Sequence, residues 1–182
     1  MSAATMALVG VGVQSLTILI FHRVLAETDP LMPDEPDAER FAKILATVAA
    51  NFSPISLCAA RQCLVEGGLP PRALCVTFDD GYADNLLVAA PILKRFGIPA
   101  TVFVASGYLD GRVMWNDRVI ESVRRAEGNA IDLTDLGYGR HPLGDATERV
   151  SLINRLLMCW KYLPFEEREQ LTLEVARRYA PD

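Results

Sequence analysis

Two adjacent carboxylates, Asp79 and Asp80, follow an apolar stretch that runs from Ala73 to Phe78, and Gly81 comes directly after them. Neighbouring side chains on a strand point to opposite faces, so both carboxylates can face one ligand only where the chain leaves strand geometry. Gly81 permits such a break, because glycine reaches backbone angles that other residues avoid.

The pair has two interpretations. Carboxylates held close together repel each other unless a cation or a hydrogen-bond donor compensates them, and a bound metal ion would do so. The same residues also fit an ordinary turn after a strand, in which the carboxylates accept hydrogen bonds from nearby backbone N–H groups. Spacing alone favours the ordinary turn.

The residues around the pair extend the pattern. Segments 73–85 and 96–104, with the helix between them, resemble the first catalytic block of the polysaccharide deacetylase family, also called the NodB homology domain. Segment 15–24 resembles the strand and histidine that open one branch of that family. The resemblance runs from about Leu16 to Trp115.

The resemblance implies a distorted barrel of parallel strands and helices that removes N-acetyl groups from amino sugars with a divalent metal. It implies that Asp79 is the general base and that Asp80 is a metal ligand. The chemistry needs both roles, because a metal polarises the acetyl carbonyl and acidifies a bound water while a free carboxylate takes the proton of that water. The carboxyl ends of strands are where barrel enzymes build their sites.

Three further residues are candidates for the site. His22 follows a predicted buried strand and corresponds to a site position in the histidine-bearing branch, so we expect a catalytic role, with a core histidine as the alternative. Its neighbour Arg23 is interpreted as facing solvent. Tyr82 and Trp115 are candidate substrate contacts, although packing would explain Tyr82 and a helix start would explain the residues at Trp115.

The chain departs from the family pattern in its histidines. It contains only His22 and His141, so the His-x-x-x-His block that completes the family's metal site is absent. His141 is interpreted as an exposed loop residue. We therefore expect an incomplete deacetylase, either the amino-terminal part of a longer enzyme or a pseudoenzyme.

The predicted function is metal-dependent removal of N-acetyl groups from an amino-sugar polymer or oligosaccharide, with zinc, cobalt or nickel as the metal. The alternative is a catalytically inactive glycan-binding relic of the same fold. A phosphate enzyme that uses the two carboxylates on magnesium ranks last, because the chain lacks a glycine-rich phosphate loop.

Strand and helix signals alternate in the first part of the chain, as in a parallel sheet. A closed barrel usually needs about 250 residues, so the expected fold is an α/β, partial, distorted (β/α) barrel with a C-terminal helical segment. Residues 1–111 are predicted to form the strand-helix part and 112–182 a helical insertion or subdomain. Residues 128–145 are predicted to be a loop. The first predicted helix begins after an Asp37 cap and ends at Asn51. The other predicted helices span Ser56 to Glu66, Asn85 to Phe96, Asn116 to Ala126, Ala146 to Tyr162 and Phe165 to Tyr179.

Composition excludes some functions. The formal net charge of −5 and the pI of about 5.1 argue against nucleic acid as a partner, because phosphate binding depends on Lys and Arg. Segment 6–13 is apolar, yet no Lys or Arg precedes Arg23, so neither a signal peptide nor a transmembrane helix is predicted. The expected location is cytoplasmic or unresolved, because no clear signal peptide is predicted but relatives are often exported.

Overall fold

The computed structural model describes residues 15–181, so the apolar segment 6–13 lies outside the described residues. The described chain forms two compact units. Residues 15–29 and 33–106 make up the first, here called the sheet unit, and residues 30–32 and 107–181 make up the second, here called the helical unit.

The sheet unit is built around strand β3 (Ala73–Phe78), in which every residue is buried. Strand β1 (Leu16–Phe21) pairs with β3 in parallel along its whole length. Because β1 occupies one edge of β3 throughout, β2 (Ser53–Pro54) and β4 (Ala100–Val102) share the other edge, and both are also parallel to β3. A continuously apolar strand is typical of a parallel sheet that is covered on both faces.

Four helical segments connect these strands. They are α1 (Ala38–Asn51), α2 (Leu57–Glu66), a π-helical turn (Asn85–Ala89) and α3 (Ala90–Phe96). The Asp37 side chain accepts a hydrogen bond from the backbone N–H of Arg40, which confirms the predicted cap of α1. The predicted helix from Asn85 to Phe96 is present, but its first turn is π-helical.

Aromatic rings fill the core beneath the sheet. The rings of Phe21, Phe41 and Phe78 pack together with centroids 5.2 to 6.0 Å apart, mostly edge to face. Ala60 and Cys75 belong to a smaller buried cluster of the same unit, and burial raises the pKa of the Cys75 thiol. Cys75 is therefore a core residue, as its position inside a buried strand predicts.

The helical unit contains three helices and a hairpin. Helices α4 (Trp115–Arg125), α5 (Ala146–Trp160) and α6 (Phe165–Tyr179) pack around the fully buried Trp160. The prediction of a loop over 128–145 was wrong, because β5 (Ala130–Leu133) and β6 (Gly139–Pro142) pair there in an antiparallel hairpin.

The fold class is α/β, as predicted. Within residues 15–181 the parallel sheet has four strands and does not close into a barrel, and a helical segment follows it. Every helix in that range is too short or too polar to cross a bilayer.

Candidate active site

The carboxyl ends of β1 and β3 bring the first candidate residues together. Phe21 lies opposite Phe78 in the parallel register, so His22 and Asp79 leave the sheet side by side. The backbone N–H of Asp79 donates to the carbonyl of Phe21 at 2.9 Å. Strand pairing therefore extends to Asp79, and it fixes where the two carboxylates begin.

The chain turns sharply at Asp79, Asp80 and Gly81, here called the acidic turn. The N–H of Gly81 donates to the carbonyl of Asp79 at 2.9 Å, and Asp80 between them has a φ of 70°. A hydrogen bond between residues two apart, with a central φ near +75°, defines the classic γ-turn, which is rare and strained. The prediction that the chain leaves strand geometry here is confirmed, and the break already begins at Asp80.

Gly81 is required at its position for two reasons. Its φ of 77° lies in the left-handed region, and an added Cβ would stand 3.1 Å from both γ carbons of Val104 and 3.3 Å from the Val104 Cα. The carbonyl of Asp80 also accepts a hydrogen bond from Ala105 at 3.1 Å. The acidic turn is thus pressed against, and bonded to, the segment that follows β4.

An ion pair lies beside the turn. Both Nε and Nη2 of Arg23 donate to Oδ2 of Asp84 at 2.8 Å, and the side chains are only 27% and 13% exposed. The guanidinium also lies over the ring of Tyr82, 4.5 Å from its centroid. The interpretation of Arg23 as facing solvent was therefore wrong. Sequence reasoning did not single out Asp84 or its neighbour Asn85, although a third carboxylate so soon after the pair was a signal.

The remaining candidate, Trp115, lies in the helical unit, and so does His141. Trp115 starts α4, and the guanidinium of Arg168 lies 5.0 Å from its ring centroid. His141 is half-buried on β6, where its Nε2 is 2.7 Å from the carbonyl of Tyr138. The prediction of an exposed loop for His141 was wrong, because the hairpin orders that segment. Asp79, Asp80, His22 and Tyr82 all belong to the sheet unit.

The residues present do not fit a complete metal centre. Among residues 15–181, no three or more His, Cys, Asp or Glu side chains are arranged so that they could hold a metal ion. A catalytic zinc site normally takes three protein ligands and leaves one position for water. Asp80 and His22 together fall short of that number, so the role of Asp80 as a ligand stays a prediction.

Comparison with known families bears on the same turn. The family model described as polysaccharide deacetylase matches residues 66–157, about half of the chain. The chain belongs to the polysaccharide deacetylase family. The matched residues include Asp79 and Asp80, whereas His22 precedes them. The family is one of hydrolases that act on amide bonds.

Individual relatives match parts of this deacetylase-family chain. The Bacillus subtilis protein named "Putative polysaccharide deacetylase YxkH" is 48% identical over 33 residues, which are 18% of this chain and 12% of that protein. A de-N-acetylase of Aggregatibacter actinomycetemcomitans is 26% identical with a TM-score of 0.47, over 54% of this chain and 40% of that structure. IcaB of Ammonifex degensii is 25% identical with a TM-score of 0.47, over 58% of this chain and 47% of that structure. The chain thus spans less than half the length of each of these relatives.

Proposed function

We propose that this chain contributes the catalytic carboxylates of a carbohydrate deacetylase that removes N-acetyl groups from an amino-sugar polymer or oligosaccharide. The observation that carries the proposal is the acidic turn. It combines a non-glycine residue at a φ of 70° with two adjacent carboxylates, at the end of a buried strand and inside the residues that match the family. Backbone strain of this kind persists where the surrounding structure enforces it, and it is concentrated at functional sites.

In the proposed reaction Asp79 acts as the general base. The oxygen of a water molecule bonds to the acetyl carbonyl carbon while its proton passes to the Asp79 carboxylate. The carbon–nitrogen bond then breaks, the nitrogen takes up the proton that Asp79 accepted, and acetate and a free amino sugar leave. His22, which leaves the sheet beside Asp79, is the second proposed catalytic residue, and it would contact the substrate or adjust the basicity of Asp79.

The remaining roles are metal binding and substrate contact. A divalent metal is implied by the family, but it would need ligands in addition to Asp80 and His22. Tyr82 and Trp115 are the proposed substrate contacts. The guanidinium of Arg23 lies over the ring of Tyr82, and that of Arg168 lies over the ring of Trp115.

One observation favours a second candidate, a glycan-binding protein without catalysis. The ligand set found among residues 15–181 is too small for a catalytic metal, whereas glycan binding needs no metal. The two candidates differ in one product, because only the deacetylase releases acetate. Binding of an N-acetylated oligosaccharide without acetate release would favour the second.

The deciding experiment measures acetate release from chitooligosaccharides by the full-length protein, which here means a version of the chain extended to include the His-x-x-x-His block, and by its Asp79→Asn variant. Loss of a general base lowers turnover by about 10² to 10⁴ fold, so Asp79→Asn should release almost no acetate. Asp34→Asn removes an exposed carboxylate of the same unit and should leave the rate unchanged. An Asp79→Asn protein with the normal rate would refute the proposal.

The two carboxylates can be separated by metal binding. Calorimetry should show that Asp79→Asn keeps whatever divalent metal the full-length protein binds, whereas Asp80→Ala loses it. If the metal is lost from Asp79→Asn and kept by Asp80→Ala, the two roles are reversed.

A further inference from the structure

Hydrogen bonds to the main chain of His22 and Val24 tie the end of β1 to the segment that follows the acidic turn. The carbonyl of His22 accepts a bond from Nδ2 of Asn85 at 2.9 Å, and the N–H of Val24 donates to Oδ1 of Asp84 at 3.3 Å. Between these two bonds lies the Arg23–Asp84 ion pair. The set of contacts that Asp84 and Asn85 make with residues 22–24 is here called the clasp.

The residues of the clasp are partly buried and are hydrogen-bonded to one another. Asn85 is 6% exposed, and its Nδ2 donates to Oδ1 of Asp84 at 3.2 Å as well as to His22. Asp84 therefore accepts from Arg23, Val24 and Asn85. Bonds to an ionised carboxylate are stronger than neutral ones, and salt screens partly buried charges less than exposed charges.

The position of the clasp relates it to the site. The regular pairing of β1 with β3 ends at the partners Phe21 and Phe78, so His22 is the first residue beyond that ladder. The clasp begins at this residue, and its other half starts three residues after Gly81. It thus links the two chain segments that carry His22 and the candidate carboxylates.

We propose that Asp84 and Asn85 are positioning residues that hold His22 beside the acidic turn. The catalytic meaning of this arrangement rests on the proposed function, while the arrangement itself does not. Displacement of a reacting group by about 1 Å can cost about 10² fold in rate, so a residue beyond the end of a strand needs such support. The two residues act through the main-chain carbonyl of His22 and the main-chain N–H of Val24.

The chain allows a direct test by nuclear magnetic resonance. It has only two histidines, His22 and His141, so the ring signals of a tag-free 182-residue chain can be assigned with a His141→Gln variant. Asp84→Asn and Asn85→Asp should each shift or broaden the His22 ring signals while those of His141 stay in place. The amide hydrogen of Val24 should exchange about tenfold faster in Asp84→Asn, because its acceptor is weakened.

Matched controls come from the helical unit. Asp135→Asn removes the carboxylate from another aspartate–arginine pair, that of Arg178 at 2.6 Å, and Asn154→Asp makes the same amide-to-acid change at an exposed site. Neither should move the His22 signals. In a full-length protein that releases acetate, Asp84→Asn should lower kcat about tenfold or more and change KM less than twofold.

Two results would overturn the proposal. The first is that the His22 ring signals and the Val24 amide exchange rate of both Asp84→Asn and Asn85→Asp match those of the unaltered chain. The other is a shift of both histidines together with a lower melting temperature, which would indicate a general loss of stability. The magnetic resonance readout needs no acetate release, so it fails or succeeds independently of the proposed deacetylation.

Discussion

Replacing Gly81 by alanine tests whether the acidic turn is as constrained as its geometry implies. An L-residue in the left-handed region costs about 1–2 kcal/mol, and Gly81 has a φ of 77°. The new methyl group would also meet Val104 at 3.1 to 3.3 Å, and such crowding costs about 1–3 kcal/mol. Gly81→Ala should therefore lower the free energy of unfolding by about 2–5 kcal/mol.

Gly97 provides a matched control in the same unit. Its φ is 64°, and an added Cβ would meet nothing within 4 Å, so Gly97→Ala should cost only the backbone contribution of about 1–2 kcal/mol. The difference between the two variants isolates the contact with Val104. That contact can be reduced further, because Val104→Ala removes the two γ carbons but leaves the Cα in place.

Urea unfolding followed by circular dichroism measures the free energy of unfolding of Gly81→Ala, Gly97→Ala and Val104→Ala. The same measurement is made on the double variant that combines Gly81→Ala with Val104→Ala. The cost of Gly81→Ala should fall by about 1 kcal/mol in the Val104→Ala background, since residues in contact are not additive. If Gly81→Ala costs no more than Gly97→Ala, the acidic turn is not pressed against Val104, and the argument from strain fails.

Two further expectations concern the chain as a whole and its helical unit. The 182-residue chain should bind zinc or cobalt weakly in calorimetry and release no detectable acetate from chitooligosaccharides, because residues 15–181 hold too few arranged ligands; tight stoichiometric binding with acetate release would contradict this. Hydrogen bonds from Arg177 and Arg178 lower the pKa of Glu174 to about 2 from an ordinary 4.5. A carboxyl whose folded pKa is depressed stabilises the fold above its unfolded pKa and loses that contribution as pH falls through the folded pKa, so thermal stability should fall between about pH 4.5 and pH 2, and less steeply in Glu174→Gln.

Local patterns explain why much of the fold was predictable. The apolar stretches at Leu16–Phe21 and Ala73–Phe78 became the two paired strands, and the Asp37 cap marked the start of α1. Helix α6 spans Phe165–Tyr179 as predicted. Each signal depends on residues that are close in sequence, so no tertiary information was needed.

The hairpin of the helical unit needed such information. Strand β5 alternates buried Ile131 and Leu133 with exposed Asp132, but over only four residues. An alternation that short also occurs in loops, and pairing with β6 is what makes it a strand. Strand β4 is also shorter than the local sequence suggests, because its ladder with β3 ends at Val102 although apolar residues continue to Ala105.

The residues around the candidate site also divide into those that the local sequence indicated and those that it did not. The two carboxylates and the glycine were singled out because the residues around them resemble a catalytic block of the family, and His22 because segment 15–24 resembles the opening of one branch. The partner of Arg23 was not recognisable, since Asp84 lies 61 residues further along the chain and nothing in the local sequence relates the two. Only the parallel register, which aligns the ends of β1 and β3, brings them within reach.

The geometry of the acidic turn also bears on the choice between its two interpretations. An ordinary turn places the left-handed conformation on a glycine, which adopts it without steric cost, or on an Asn or Asp, which tolerate it. Here two consecutive residues, Asp80 and Gly81, are in that conformation, and Asp80 has a steric cost there that a glycine would not have. The φ of Asp80 alone is therefore compatible with both interpretations. What supports the proposed functional pair is that this strained turn lies at the end of a buried strand and inside the residues that match the family, and the metal-binding comparison of Asp79→Asn with Asp80→Ala tests it.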